Sequence, residues 1–483
     1  MGEGHGWRAV FAPEGGDCLI RAKGKGRRAK DPKTPVLFSN YSTSLRHSPM
    51  TLQHLIAALK AAPGVAQWQI TETTTVRHER YLTFLAIESE RRAVATRWQV
   101  WLALEPKEGI HGEAGFALGS SEDTEALVER MRTALDAAAA APNRAWQLPH
   151  PGAPGTAVAP SDPAAGCDAG LLAEPAAVLD GLVAEYRAAL PTSVRPSTLE
   201  LFATISDRRL LNAHGLDLRD RATRFYAEFV LLHQPATGAE VEFFDRIEAT
   251  RAVDLQLGAR VAIASACAVD GSRAQPAPAG VQPVVITGSY VAELLDYYAH
   301  HSDAALHVRG IAAFRAGQAV VTRRSGDPLT LVSDPAVPSL AAYAFDPNGW
   351  AATHQPLVTA DVLTGLHGSG RWQQALGRQP RGTLATRVAS PGPTPLATLR
   401  RGALEIIRFS EFGPRSDTGA FSGEIRLAYL HGLDGSITPV TGGSVSGVLR
   451  EALADARFSA ETTTNGGFHG PCAIRLEAVT VAR

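Results

Sequence analysis

Three histidines and an aspartate crowd into DYYAHHSDAALH: His300, His301, Asp303 and His307. Imidazole nitrogens and carboxylate oxygens are donors that zinc takes. On one unbroken helix His300, Asp303 and His307 would fall at i, i+3 and i+7, on one face. Ser302-Asp303, however, reads as a helix exit. Imidazoles there complement the C-terminal dipole and meet the last free carbonyls. Neither HExxH nor the longer HExxxH occurs, so the usual helical pairing of two ligands with a general base is missing. His469 and Cys472 lie close in GGFHGPCAIR. A Cys–His nucleophile needs spatial contact and a field that favours thiolate, which spacing alone does not show. TGGSVSG (441–447) could cradle an anion at a helix start, or form a tight turn with a cap. Asp334, Asp346 and Glu411 are isolated carboxylates suited to turns or caps. No GxSxG elbow or Walker loop is present.

The elements that must hold these residues read as α+β. The chain has 483 residues, enough for two to four domains. A formal net charge of -1 gives no global field to gather polyanions. Four scattered cysteines without a CxxC pair argue against a disulfide framework or zinc ribbon and fit a reducing cytoplasm. No uninterrupted apolar run reaches the roughly 20 residues of a membrane helix, and no secretory leader is evident. Residues 1–49 read as a basic, disordered extension with six cations in Arg21–Lys30, and Met50 is an alternative start.

An N-terminal α+β domain is expected over 50–270. Its helices are placed at Leu52–Ala62, after Ser120 and Asp123, at Ala173–Leu190 and at about 246–267. Strands are placed in 65–76, Tyr81–Ile87, Val94–Leu104, Leu199–Ile205, Arg209–Asn212 and Ala222–Leu232, mostly antiparallel. GIHGEAGFALGSS reads as a glycine-rich turn into a helix. The order helix, strands, helix occurs twice, a weak pseudo-repeat. Residues 146–169 form a Pro/Ala-rich loop or insertion, and 271–280 a linker. Beyond it, 281–483 reads as a β-rich, barrel-like domain. One helix lies near 290–300, and two more near 368–377 and 444–454 interrupt the strands.

Within that domain the stretch 329–358 resembles a signature of the TldD/TldE (PmbA) family. Asp334-Pro335 and Asp346 to Gly349 fill the family's Asp-Pro turn and D-x-x-G segment. Residues 418–459 are similar to the following block, with Thr418, Gly419, Ser422, Gly423, Ile437, Pro439, Val440 and Gly447 in matching places. GPCAIRLEAVTV resembles the closing strand. Upstream, GEAGFAL (112–118) and LLNAHG (210–215) match loosely. The resemblance implies an N-terminal α+β domain, a C-terminal β-rich domain and an amide-hydrolase context. TldD-type members carry HExxxH on the helix after the PVV-like strand, with a further cysteine ligand near the C-terminus. Here Glu293 stands in its place, but position 292 is Ala and 297 is Tyr, and Cys472 lacks its partners.

A TldE-like chain is therefore implied, with no catalytic residue or metal of its own. Its partner would be a TldD-type, HExxxH-bearing homologue that holds zinc in a heterodimer. The pair would cleave amide bonds of peptides or small molecules, N-deacetylation in secondary metabolism included. His300, His301, His307, Asp346, His469 and Cys472 are the cavity or substrate candidates on this chain. Two alternatives stand beside this. One is a self-sufficient homodimeric hydrolase using His300, Asp303 and His307, or His469 and Cys472. The other is a non-enzymatic interaction protein, such as a topoisomerase modulator, with Arg21–Lys30 as its arm. Membrane association is not expected, and nucleic-acid binding is disfavoured.

Overall fold

Alternating apolar residues build the first sheet. In Val65–Thr83, Trp68 and Ile70 are buried, and in Ala86–Lys107 Trp98, Val100 and Leu102 are. The two strands pair antiparallel along nearly their whole length. The computed structural model describes residues 50–158, 160, 162 and 164–483, all within one compact unit, His47–Arg483. The expected basic extension, with Arg21–Lys30, lies outside the described residues.

Seven antiparallel strands form this sheet, in the order Pro142–Arg144, Ile110–Gly119, Ala86–Lys107, Val65–Thr83, Arg195–Asn212, Asp217–His233 and Val241–Ala249. Helices Leu52–Ala61 and Thr124–Ala140 flank its first half, and Pro175–Ala189 and Leu257–Gly271 its second. The pseudo-repeat is thus real, and its two halves join where Val65–Thr83 pairs with Arg195–Asn212. Each half has its own apolar cluster, one around Leu59, Trp98 and Met131, the other around Tyr186, Phe229 and Val261.

Several local expectations are corrected. Phe84 and Leu85, both at positive φ (46° and 71°), make the hairpin turn that the expected strand Tyr81–Ile87 straddled. Ile110–Gly119 is a strand, not a turn. Its Gly112 lies so close to the Ala138 carbonyl that any Cβ would strike it. Asp123 caps the next helix, accepting from the Glu125 and Ala126 amides. Residues 246–249 finish a strand, and the helix begins at Leu257. The stretch 252–271 is long and apolar enough to cross a membrane by length and composition alone. It is broken at Gln256 (φ 48°) and lays Leu257, Val261 and Ala268 into the core.

The C-terminal part is β-rich. Strand Gly280–Thr287 lies between Leu404–Phe412, parallel, and Ala473–Ala482, antiparallel. Ala473–Ala482 pairs with Ser444–Val448, which pairs with Ala420–His431, which returns to Leu404–Phe412. The five strands close a barrel, which removes exposed edges. The expected helix near 444–454 is therefore a strand to Val448, followed by one short helical turn, Leu449–Ala452. TGGSVSG supplies a turn at Gly442 and Gly443 (φ 73° and 75°) and then a barrel strand, so it does not open a helix. A second, six-stranded sheet lies beside the barrel. In the expected linker, Gln275–Pro276 pairs parallel with Ile437–Thr441.

Candidate functional site

Helix Ser289–His301 follows its strand directly, through Gly288 at φ 65°. The Gly288 amide donates to the Cys472 carbonyl at 3.1 Å, tying the helix start to the last barrel strand. Val291, Leu294, Leu295 and Tyr298 bury its inner face in the largest apolar cluster.

At the far end the histidines close backbone. Ser302 Oγ donates to the Tyr298 and Ala299 carbonyls, and His367 Nε2 also reaches Ala299, at 2.9 Å. His307 Nε2 meets the His301 carbonyl at 3.0 Å. His301 is buried. Its Nδ1 accepts from the Ala313 amide at 3.1 Å, so the proton sits on Nε2 and points at the Asp417 carbonyl, 3.3 Å away. Burial lowers the pKa of His301 and of His367, which keeps both rings neutral. The helix breaks at Ser302, and Asp303 caps the next one, Ala304–Arg309, through the Ala305 amide. His300 is exposed and packs edge-on against His301. The i, i+3, i+7 face never forms. Among the described residues no group of three His, Cys, Asp or Glu side chains could hold a metal.

The structure does not bring the other candidates together. His469 Nδ1 meets Thr464 Oγ1 at 2.9 Å, whereas Cys472 Sγ meets Ser459 Oγ at 3.4 Å. Asp346 is fully buried in the turn Asp346–Gly349, and its Oδ1 accepts from the Asn348 and Trp350 amides. Asp334 caps the Ala336 amide and meets His354 Nδ1 at 3.2 Å.

What sequence reasoning missed lies at the start of the same helix. Ser289, Tyr290 and Glu293 form one wall of a pocket of about 460 Å³. Phe244 and Arg246 of the seven-stranded sheet face them, with Arg408 and Phe412 of the barrel and the turn at Asn465 closing the rest. Tyr290 stands edge-on to Phe409 and Phe412, and its hydroxyl accepts from the Phe409 amide at 3.1 Å. Burial raises the pKa of Glu293, against the pull of Arg246 and the Ser289 hydroxyl. The signal in the sequence was Glu293 alone. Its partners come from strands that only the fold brings near.

Residues 279–483 match the PmbA/TldA metallopeptidase C-terminal domain. That match makes the C-terminal part of the chain similar to the PmbA/TldD family's C-terminal domain. No curated protein matches it significantly. Among solved structures, TldE from Thermococcus kodakarensis is similar with a TM-score of 0.73 and 17% identity, over 89% of this chain and 99% of that one. A candidate modulator of a DNA gyrase from Thermotoga maritima gives 0.71 and 16%, over 89% and 98%. One from Bacteroides thetaiotaomicron gives 0.70 and 16%, over 89% and 97%. At these identities the likeness is one of fold, and it spans both halves of the described chain.

The resemblance drawn from the sequence places HExxxH at 292, 293 and 297, so a zinc ion would be sought there. The residues present do not fit one. Ala292 has no donor and is 7% exposed, and Tyr297 is 3% exposed. The Tyr297 ring packs against His301, Phe314 and Gly419, and burial raises its pKa, so it is a neutral phenol rather than a phenolate ligand. Glu293 remains, turned to the pocket.

Proposed function

We propose that this chain is the metal-free, non-catalytic subunit of a two-chain TldD/TldE-type zinc hydrolase acting in the cytoplasm. The catalytic zinc and the HExxxH helix belong to a homologous partner. The bond cleaved is an amide, in peptides or in small molecules, and N-deacetylation in secondary metabolism falls within that class. This chain's part is to wall the reaction cavity, limit what enters and support the partner.

One observation carries the reading. The helix that would present a metal keeps its carboxylate, Glu293, while both ligand positions are built into the hydrophobic core as Ala292 and Tyr297. A carboxylate beside a pocket without a metal can bind but lacks a Lewis acid to activate water.

The test is amide hydrolysis by three samples: this chain alone with added zinc, the HExxxH-bearing homologue alone, and the two co-purified. Hydrolysis by the pair only is expected. His307→Ala and Cys472→Ala in this chain should leave it unchanged. Hydrolysis by this chain alone, lost in either variant, would overturn the reading in favour of a self-sufficient homodimer.

A further inference from the structure

The pocket beside Glu293 has walls from four segments far apart in sequence, and most of its charges are committed. Arg408 ion-pairs with Asp245 and lies over the Phe244 ring, 4.9 Å from its centroid. Glu248 pairs with Arg224 at 2.5 Å. Two opposite charges are left. Arg246 is exposed, has no ion-pair partner among the described residues, and lines the same pocket as Glu293. Glu293 is half-buried, with only the Ser289 hydroxyl and the Arg246 charge to offset its own. Phe244 and Phe412 line the same pocket and supply apolar wall.

A cavity of about 460 Å³ lies within the roughly 300–1,000 Å³ of small-molecule pockets, which are apolar with a few convergent polar groups. A ligand that satisfies both free charges must itself carry both signs. A guanidinium takes a carboxylate in a two-pronged hydrogen bond, and a carboxylate takes an ammonium. We propose that this pocket binds a zwitterionic α-amino acid with an apolar side chain, its carboxylate on Arg246, its ammonium on Glu293 and its side chain against Phe244 and Phe412. The site belongs to this chain alone and does not depend on a catalytic partner.

The test is calorimetric titration of the full chain with L-phenylalanine, N-acetyl-L-phenylalanine and L-phenylalaninamide. The free amino acid should bind about tenfold or more tightly than either capped form, each of which leaves one charge unmatched. Arg246→Ala should weaken L-phenylalanine by a similar factor and leave the amide's affinity unchanged. Glu293→Gln should weaken L-phenylalanine and leave the N-acetyl form unchanged. Both variants should fold, because Arg246 is exposed and Gln removes a charge that burial opposes. Equal affinity for all three compounds, no binding of any, or variants without effect would overturn the assignment. No partner is present, so failure here leaves the two-chain reading standing, and failure of that reading leaves this one.

Discussion

Asp346 concentrates the electrostatic tension of the C-terminal part in one side chain. Its Oδ1 holds two backbone amides, but the buried Oδ2 has no hydrogen-bond partner among the described residues. Burial raises its pKa from 3.8 to about 6 despite those amides and Arg208. The folded state thus holds this proton more tightly than the unfolded chain does. The penalty is absent below pH 3.8, grows through the window up to about 6, and is full above it. Asp346→Asn keeps the accepting oxygen and removes the charge. The variant should exceed the wild type at pH 7 by up to about 3 kcal/mol, with the gap closing towards pH 4. Urea unfolding across that range measures it, and a gap that does not change with pH would contradict it. His301 and His367 work with the opposite sign. Both pKa values are lowered from 6.5 by burial, so the unfolded state takes up protons that the folded state refuses. Their contribution is present above pH 6.5 and is lost as pH falls below it. In the Asp346→Asn background, stability should therefore decline on acidification from pH 7.5 to 5.5. A flat profile would mean that neither ring is held neutral.

Helix Ser289–His301 shows at the scale of an element why a metal site is not easily built at 292 and 297. Ala292 and Tyr297 sit in close-packed surroundings, and Tyr297 lies against the backbone at Gly419. Reinstating imidazoles with Ala292→His and Tyr297→His should overpack the face, lower stability by about 1–3 kcal/mol and add no zinc. A thermal melt with metal analysis checks both halves. Stoichiometric zinc at an unchanged melting temperature would contradict the claim. The junction between the two parts of the chain is as tight. Gly349 has φ 92°, and a Cβ there would come within 2.6 Å of Leu216. Gly349→Ala combines left-handed strain with that clash and should cost about 2–4 kcal/mol by chemical denaturation. A neutral result would mean that this contact yields.

Much of this scale was legible beforehand. The apolar run into the 289–301 helix, its exit at Ser302-Asp303, and the long strands with Trp68, Ile70, Trp98 and Val100 follow from periodicity. The misreadings have physical causes. Gly112 and Gly115 sit in a strand because another backbone approaches them closely, while glycines in sequence read as a turn. Phe84-Leu85 turns a hairpin without the residues that turns prefer. The pocket was out of reach because Arg246, Glu293 and Arg408 meet only through non-local strand pairing. The histidine cluster was visible as a cluster, and its backbone-closing role was one of the two readings open to it.

Across the whole molecule the barrel and the seven-stranded sheet are fastened by side chains from both. Arg408 meets Asp245, Arg426 reaches the Glu242 carbonyl at 2.9 Å, Tyr429 donates to Asp270 at 2.7 Å, and Leu427 enters the sheet's own cluster. Buried ion pairs and apolar contact together make a rigid-body unit a reasonable default for docking. Helices Pro175–Ala189 and Leu257–Gly271 cover one face of the sheet's second half. The other face carries Tyr81, Phe202 and Tyr226 in ring contact. Under the proposed function, this chain walls a cavity without doing chemistry in it. The most direct measurement of that claim is a native mass spectrum of this chain, purified after co-expression with an HExxxH-bearing homologue. A one-to-one complex with a single zinc ion, alongside zinc-free copies of this chain alone, is the predicted result. A zinc-bearing homodimer that ignores the homologue would contradict it.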